Sequence, residues 1–533
     1  MMRLWTRLGS IRRNPRHRTE ASVLAALAVS LLISACGTGT SAEGDSQEID
    51  RSGVLRVAGN VVPNNLDPHQ SGNYTVDFPF LSPVYDRLTQ VVSGPEIVPM
   101  LAEGWTFAED GKSVDFRLRN DAVFHSGNPV DAEAVVASLD RSRDPQRSKV
   151  AARFAMVESV QAVDDRTVRI AVTRPALDLP SVLSTTEAAI VDMQAIAGGL
   201  DITREGAGSG PYTFDQVRPG DRITYLRNEG YWDPEAQKPA RLELVGMPDD
   251  NSRLNAFRSG QVDAIKVDPD QYDELQSIVK QPGFELHEYP TVQSYVIYLD
   301  IGTPGLEDKR VRQALNYAID RESINTGLLN GRCPPLTQPL PEGVDGHNGA
   351  ASNRYPYDPD RARQLLREAG APENLPVRVI YVASASPQQE MATAIQAQMR
   401  EVGVDAQLMP IPAVDAQSTF RTGNYGLFNL FLASPLPGQT LMSNYLADFR
   451  FPTPPSPEFT ETVMRSLDPS ISDDERTQLY SKASGIAAEE AYAVFVCGAP
   501  TMVAYSTDTV GMNTLGHADF TSVVDVRYAG VTS

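Results

Sequence analysis

Between Tyr357 and Leu408 the sequence alternates helix and strand signals, and that alternation restricts the fold more than any other feature of the chain. After Tyr357 comes DPDRARQLLREAG. Asp358 stands as a helix N-cap, Pro359 takes the first helical position, Leu365, Leu366 and Ala369 share one face, and Gly370 ends the helix. Val377–Val382 then reads as a strand, Pro387–Val402 as a helix and Val404–Leu408 as another strand. Strands separated by helices predict a largely parallel sheet with helices on its faces, an α/β arrangement. A chain of 533 residues is also too long for one core, so two or more lobes are expected.

Leu306–Asn330 reads as two consecutive helices. Asp308 caps the first, which places Val311, Leu315, Ala318 and Ile319 on one apolar stripe. Asp320 caps the second, which carries Ile324, Leu328 and Leu329 and stops at Asn330-Gly331. The order D-x-R-V-R-Q-A-L-N-Y-A-I-D-R within it resembles the signature helix of the family 5 solute-binding proteins, the peptide- and nickel-binding receptors of bacterial ABC importers. Further blocks resemble that family in the same order. Val54–Ala58 is a strand that runs into an irregular loop, GNVVPNNLDPHQ, and Tyr85–Val92 and Val98–Trp105 follow. Trp105–Leu118 is a hairpin turning at Asp110-Gly111. Phe124–Asp140 has its cap at Asp131, with Glu133-Ala134 where the family often has Glu-Asp. Gly206–Trp232 holds the turn Gly208-Ser209-Gly210-Pro211, whose glycines permit positive φ. Ser252–Ile265 and the return strand within Val494–Tyr505 complete the match, which spans about residues 53–525, and Ser294–Leu299 between them reads as a further strand.

The resemblance implies a bilobal periplasmic-binding-protein-like fold of type II, with mixed sheets flanked by helices. Lobe I would comprise 53–72, 208–295 and 500–533, extended by a subdomain at 73–207, and lobe II would comprise 296–499. The chain would cross between lobes near Ser294–Leu299 and Cys497–Thr501, and a ligand would hold the lobes closed. Ligand-contact candidates follow from position. They are Val61, Pro63 and Asn64 in the first loop, Tyr74 after it, Gln293 and Tyr295 at the first crossing, and Phe431, Leu432, Ala433 and Ser434 in lobe II. Tyr425, Phe428 and Phe431 could form a stacking wall, although such spacing is more often core. In peptide-binding members a lobe II carboxylate within W-x-A-D-Y-x-D-P pairs with the ligand's α-ammonium. The matching stretch here, Leu430–Gly438, contains no acid. The expected ligand is therefore a peptide-like but non-standard solute: a modified peptide, a glycan or another apolar-faced metabolite.

The N-terminus carries an export signal. Six arginines up to Arg18 precede the apolar run Ala21–Ile33, which has signal-peptide length. Ile33-Ser34-Ala35-Cys36 resembles a lipobox that would make Cys36 the lipidated first residue of the mature chain. Residues 1–35 form the leader, 36–52 the tether, and Gly37–Gln47 reads as flexible. The formal charge is −21, and loss of the leader leaves −26. This argues against nucleic acid and anionic lipid as partners of the body and calls for two acyl chains at the anchor. Export favours a disulfide between Cys333 and Cys497, with two buried free thiols as the alternative. None of the six histidines is spaced for zinc, and no cofactor or catalytic motif is expected. Ser209 reads as a small turn residue rather than a nucleophile. The expected function is non-enzymatic: a monomeric importer receptor that hands its solute to a membrane permease. The competing classes are an exported hydrolase on a two-lobe scaffold and an adhesin- or chaperone-like surface lipoprotein.

Overall fold

The computed structural model describes residues 48–59, 61–71, 74–92, 94–289, 293–383, 386–447, 451–515 and 524–533. Cys36, the leader and Gly37–Gln47 lie outside the described residues. Among those described, no helix is long and apolar enough to cross a membrane.

Three sheets organise the chain. A seven-stranded sheet has the order Phe284–Tyr289, Thr501–Ser506, Ala264–Val267, Val54–Gly59, Arg241–Gly246, Arg222–Arg227, Tyr212–Arg218. Val54–Gly59 lies parallel to both of its neighbours, and the remaining pairs are antiparallel. A four-stranded antiparallel sheet is built on the expected hairpin. Trp105 pairs with Phe116 and Phe107 with Val114, and Gly111 turns at φ 65°. This sheet has its own apolar core under the helix Ala132–Ser142.

The five-stranded sheet has the order Val404–Ile411, Leu375–Val382, Gly426–Phe431, Ser294–Leu299, Ala493–Gly498. The parallel expectation holds for the first three strands. Leu375 pairs with Val404 and Val379 with Gly426, while Ser294–Leu299 runs antiparallel to both neighbours. Ser294–Leu299 is buried throughout, because helices and loops cover both faces. Tyr295, Ile297 and Leu299 enter one core, and Val296 and Tyr298 enter the other.

The helix pair forms at Lys309–Tyr317 and Arg321–Leu328. Asp308 accepts from the Arg310 amide and Asp320 from the Ser323 amide. Val311, Leu315, Ala318, Ile319, Ile324 and Leu329 all enter the core of the five-stranded sheet. Asn330 and Gly331 adopt positive φ and end the second helix as read. Cys333 and Cys497 are joined by a disulfide, with Cα atoms 5.2 Å apart.

In the Gly208–Gly210 turn, close approach and not backbone conformation calls for glycine. Gly206 has a positive φ, at 75°, but Gly208 and Gly210 do not. They are required instead by close approach. A Cβ on Gly208 would sit 1.9 Å from the Val84 carbonyl oxygen, and one on Gly210 would sit 2.6 Å from that of Pro83. Ser209 Oγ donates to Asp86 Oδ2 at 3.0 Å. Asp86 also receives Arg527 Nη2 at 2.6 Å and the Tyr231 hydroxyl at 3.0 Å. This fully buried network ties the C-terminal segment to the turn.

Candidate functional site

The chain passes from the seven- to the five-stranded sheet after Tyr289 and returns between Gly498 and Thr501. The two crossings lie side by side. The Ala499 amide donates to the Gln293 carbonyl at 2.9 Å, and Ser294 is registered against Gly498. Nearby, Asn330 donates to the Pro269 carbonyl at 3.1 Å, and Arg332 pairs with Glu288. Away from the crossings, the four-stranded unit meets the five-stranded one where the Leu177 amide donates to the Leu467 carbonyl at 2.9 Å.

A cavity of about 420 Å³ lies between these two units. That volume falls in the range of small-molecule sites, roughly 300–1,000 Å³. One wall comes from the short 3₁₀ helices Ala151–Phe154 and Thr186–Ala188 and the helix Leu179–Val182, which contribute Arg153, Glu187 and Ser181. The other comes from Leu432–Pro435, the helix Pro437–Leu441 with Gln439, and the π-helical turn Met442–Leu446. Single π-turns of this kind recur at functional sites because they displace side chains from the regular helical ladder.

Hydrogen bonds fix both walls. Asn444 Nδ2 donates to the carbonyls of Leu432 and Thr440, each at 2.7 Å, while its Oδ1 accepts from the Tyr298 hydroxyl. The Ser434 amide donates to Thr440 Oγ1 at 2.8 Å. Opposite, Arg174 grips Asp178 through both guanidinium arms at 2.9 and 2.7 Å, which neutralises that cation locally. Arg153 Nη2 lies 3.6 Å from Glu187 Oε1. Glu187 is 4% exposed and Gln439 is 6% exposed. Glu187 Oε2 and Gln439 Oε1 accept no hydrogen bond from any described residue.

The turn that carries Glu187 is anchored from behind. His69 Nε2 lies 3.0 Å from the Ala189 carbonyl, His69 Nδ1 lies 2.7 Å from Arg141 Nη1, and Arg141 Nη2 reaches Asp67 Oδ2 at 2.5 Å. The LDPHQ loop thus acts as a buttress behind the cavity.

Of the residues expected at the ligand, Leu432, Ala433 and Ser434 line this cavity. Phe431, one position earlier, points into the core with Tyr298 and Phe495. Tyr295 packs in the opposite core, where burial pushes its phenol well above its usual range. Gln293 is buried at the crossing. Val61 is 51% exposed, Asn64 is exposed and Pro63 is buried, all three away from the cavity. Tyr74 opens the helix Tyr74–Leu81, and its side chain is outside the described residues. Phe428 is core, and Tyr425 stacks under the Arg378 guanidinium. Sequence reasoning missed Arg153, Glu187 and Gln439. They sit in segments too short for periodicity and in no motif.

Residues 96–453 match the model of the bacterial extracellular solute-binding proteins, family 5. The chain belongs to that family. Among curated relatives, the glutathione-binding protein GsiB of Salmonella typhimurium LT2 is 27% identical over 365 residues, covering 68% of this chain and 69% of GsiB. Among solved structures, the periplasmic binding protein DppA of Helicobacter pylori, in complex with the peptide STSA, aligns with a TM-score of 0.80 at 20% identity. It covers 91% of this chain and 99% of DppA. The binding protein AgaA of A. tumefaciens R10, in complex with agropinic acid, gives 0.80 at 23% identity over 90% of this chain and 99% of its own. The family 5 protein described here therefore has the bilobal binding-protein fold and the function of a solute-binding protein of ABC import.

Proposed function

We propose that this protein is a lipid-anchored receptor that closes two lobes on a peptide-like, non-standard solute and delivers it to an ABC permease as a monomer. Lobe I comprises 53–72, 208–295 and 500–533 with the subdomain 73–207, and lobe II comprises 296–499. The crossings after Tyr289 and at Gly498–Thr501 serve as the hinge. The observation that carries this reading is the cavity itself. It has one wall from each side of the molecule, so a solute within it gains its full set of contacts only when the lobes are together. The Leu430–Gly438 stretch, which resembles the one that carries an ammonium-pairing acid in peptide-binding members of the family, contains no acid, and its residues Leu432–Pro435 line the cavity, which supports a ligand other than an ordinary α-peptide. The name of GsiB makes glutathione, a γ-linked tripeptide, a first candidate.

The anchor is Cys36, which would hold the protein at the outer face of the cytoplasmic membrane. Cys36→Ser should release the protein from the membrane fraction, and continued sedimentation with membranes would overturn the anchor. For the ligand, calorimetry against a pool of ordinary di- to pentapeptides should show no micromolar binding, and tight binding of that pool would overturn the non-standard ligand.

A further inference from the structure

Two carboxamides stand on the lobe II wall of the cavity, and they differ in how they are bonded. Asn444 uses both ends of its amide inside the protein. Its Nδ2 donates to the carbonyls of Leu432 and Thr440, each at 2.7 Å, and its Oδ1 accepts from the Tyr298 hydroxyl at 2.7 Å. Gln439, on the helix Pro437–Leu441, is 6% exposed, and its Oε1 accepts from no described residue. No described residue accepts from its Nε2 either. Elsewhere in lobe II a buried glutamine is fully bonded. Gln338 Nε2 donates to the Asn348 carbonyl at 2.9 Å, and its Oε1 accepts from the Asn348 amide at 3.1 Å and from Ser484 Oγ at 3.0 Å. A carboxamide buried without partners costs more than an apolar side chain of the same shape, so Gln439 is a poor choice for a wall that has only to be closed. A solute that brings both a donor and an acceptor removes that cost. The χ3 torsion of glutamine is soft, so the amide turns toward the cavity without moving the helix that carries it.

We propose that Gln439 reads an amide linkage of the captured solute, with Oε1 accepting a solute N–H and Nε2 donating to a solute C=O. The N–H and C=O of one residue in an extended chain point to the same side, the edge that a neighbouring strand uses, so one carboxamide engages both. This edge carries no charge. Its recognition needs no ionised group on the solute, which fits a lobe II loop without an acid. The solute class selected is amide-linked in its backbone, whatever its ends. A glycan without an amide, or a wholly apolar metabolite, leaves Gln439 unpaired. The inference rests on capture of a solute in this cavity and names the group of that solute that the lobe II wall engages.

The test uses native mass spectrometry and calorimetry on wild type and Gln439→Met, with a defined pool of glutathione, γ-glutamyl dipeptides and di- to pentapeptides as probes. Each member that wild type retains is compared with analogues in which its amides are replaced in turn by esters, which removes one N–H and keeps the shape. Methionine matches glutamine in length and carries no amide, so the solute-free variant should have a urea midpoint equal to or above that of wild type. A lower midpoint would show that Gln439 is bonded within the protein and would overturn the proposal. The expected result is a loss of about tenfold for one ester in wild type, a loss of similar size for the parent amide in Gln439→Met, and no further loss when ester and variant are combined. Three results overturn the reading by Gln439 while leaving capture intact: a variant that binds the parent as wild type does, a wild type that binds amide and esters alike, or losses that add. A wild type that retains no member of the pool overturns both the role of Gln439 and the capture reading.

Discussion

Acid should loosen the cavity through His69. The guanidinium of Arg141 has only N–H groups to offer, so the His69 Nδ1 that lies 2.7 Å away accepts, and Nε2–H donates to the Ala189 carbonyl. The site therefore holds the neutral imidazole. Burial first, and the Arg141 charge second, lower its pKa from 6.5 to about 4. In the unfolded chain the ring takes up its proton as pH falls through 6.5, but in the folded chain it does so only near 4. Across that window the folded state binds fewer protons, so its stability falls as pH falls, and the full contribution is present only above 6.5. At about 1.4 kcal/mol per pH unit, the loss accumulated by about pH 4.5 is about 2–3 kcal/mol. His69→Gln removes the titration while retaining a donor toward Ala189. Urea unfolding followed by Trp105 and Trp232 fluorescence should show the stability gap between wild type and variant narrowing by about that amount between neutral pH and about pH 4.5. The ring resonance that His69→Gln removes should titrate near 4. A resonance titrating near 6.5, or a gap independent of pH, would refute the argument.

Other perturbations have equally definite outcomes. Arg527→Met leaves Asp86 buried without its cation and should cost about 3–5 kcal/mol in chemical unfolding; a cost under about 1 kcal/mol would show that Tyr231 and Ser209 suffice. Gly208→Ala drives a methyl into the Val84 carbonyl and should cost about 3 kcal/mol or prevent folding, whereas neutral behaviour would contradict the close approach. Joint replacement of Cys333 and Cys497 by serine opens a bridge with a sequence separation of 164 and should destabilise by up to about 5 kcal/mol, read as a lower urea midpoint; an unchanged midpoint would contradict the bridge. Ser434→Asp places a carboxylate in the cavity and should raise affinity for ordinary α-peptides by about tenfold or more in calorimetry; unchanged affinity would detach Ser434 from ligand recognition.

What the sequence disclosed was chiefly local. Asp131, Asp308, Asp320 and Asp358 each cap the helix assigned to them, because a capping carboxylate acts on amides two or three residues away. The apolar stripe of 311–319 and the alternation of the 105–118 hairpin likewise follow from short-range periodicity. The site is different in kind. Its walls are some 250 residues apart in sequence and consist of single-turn helices, a π-turn and a loop, none long enough to show a period. Tyr295 and Phe431 look alike from sequence whether they face a ligand or a core. Only the discovery that helices and loops cover both faces of Ser294–Leu299 places them inside. The glycines at 208 and 210 were legible as residues of a tight turn. Their cause, a carbonyl arriving from Val84 and Pro83, belongs to tertiary packing.

Native mass spectrometry with a pool of peptide-like solutes, run on wild type and on Ser443→Trp, addresses the two-walled cavity most directly. Ser443 lines the cavity and is partly exposed, so the indole should fill the space without disturbing the core. The account predicts one solute bound per wild-type chain and none in the filled variant. A solute that binds both proteins alike, or a wild type that takes up nothing from the pool, would contradict it.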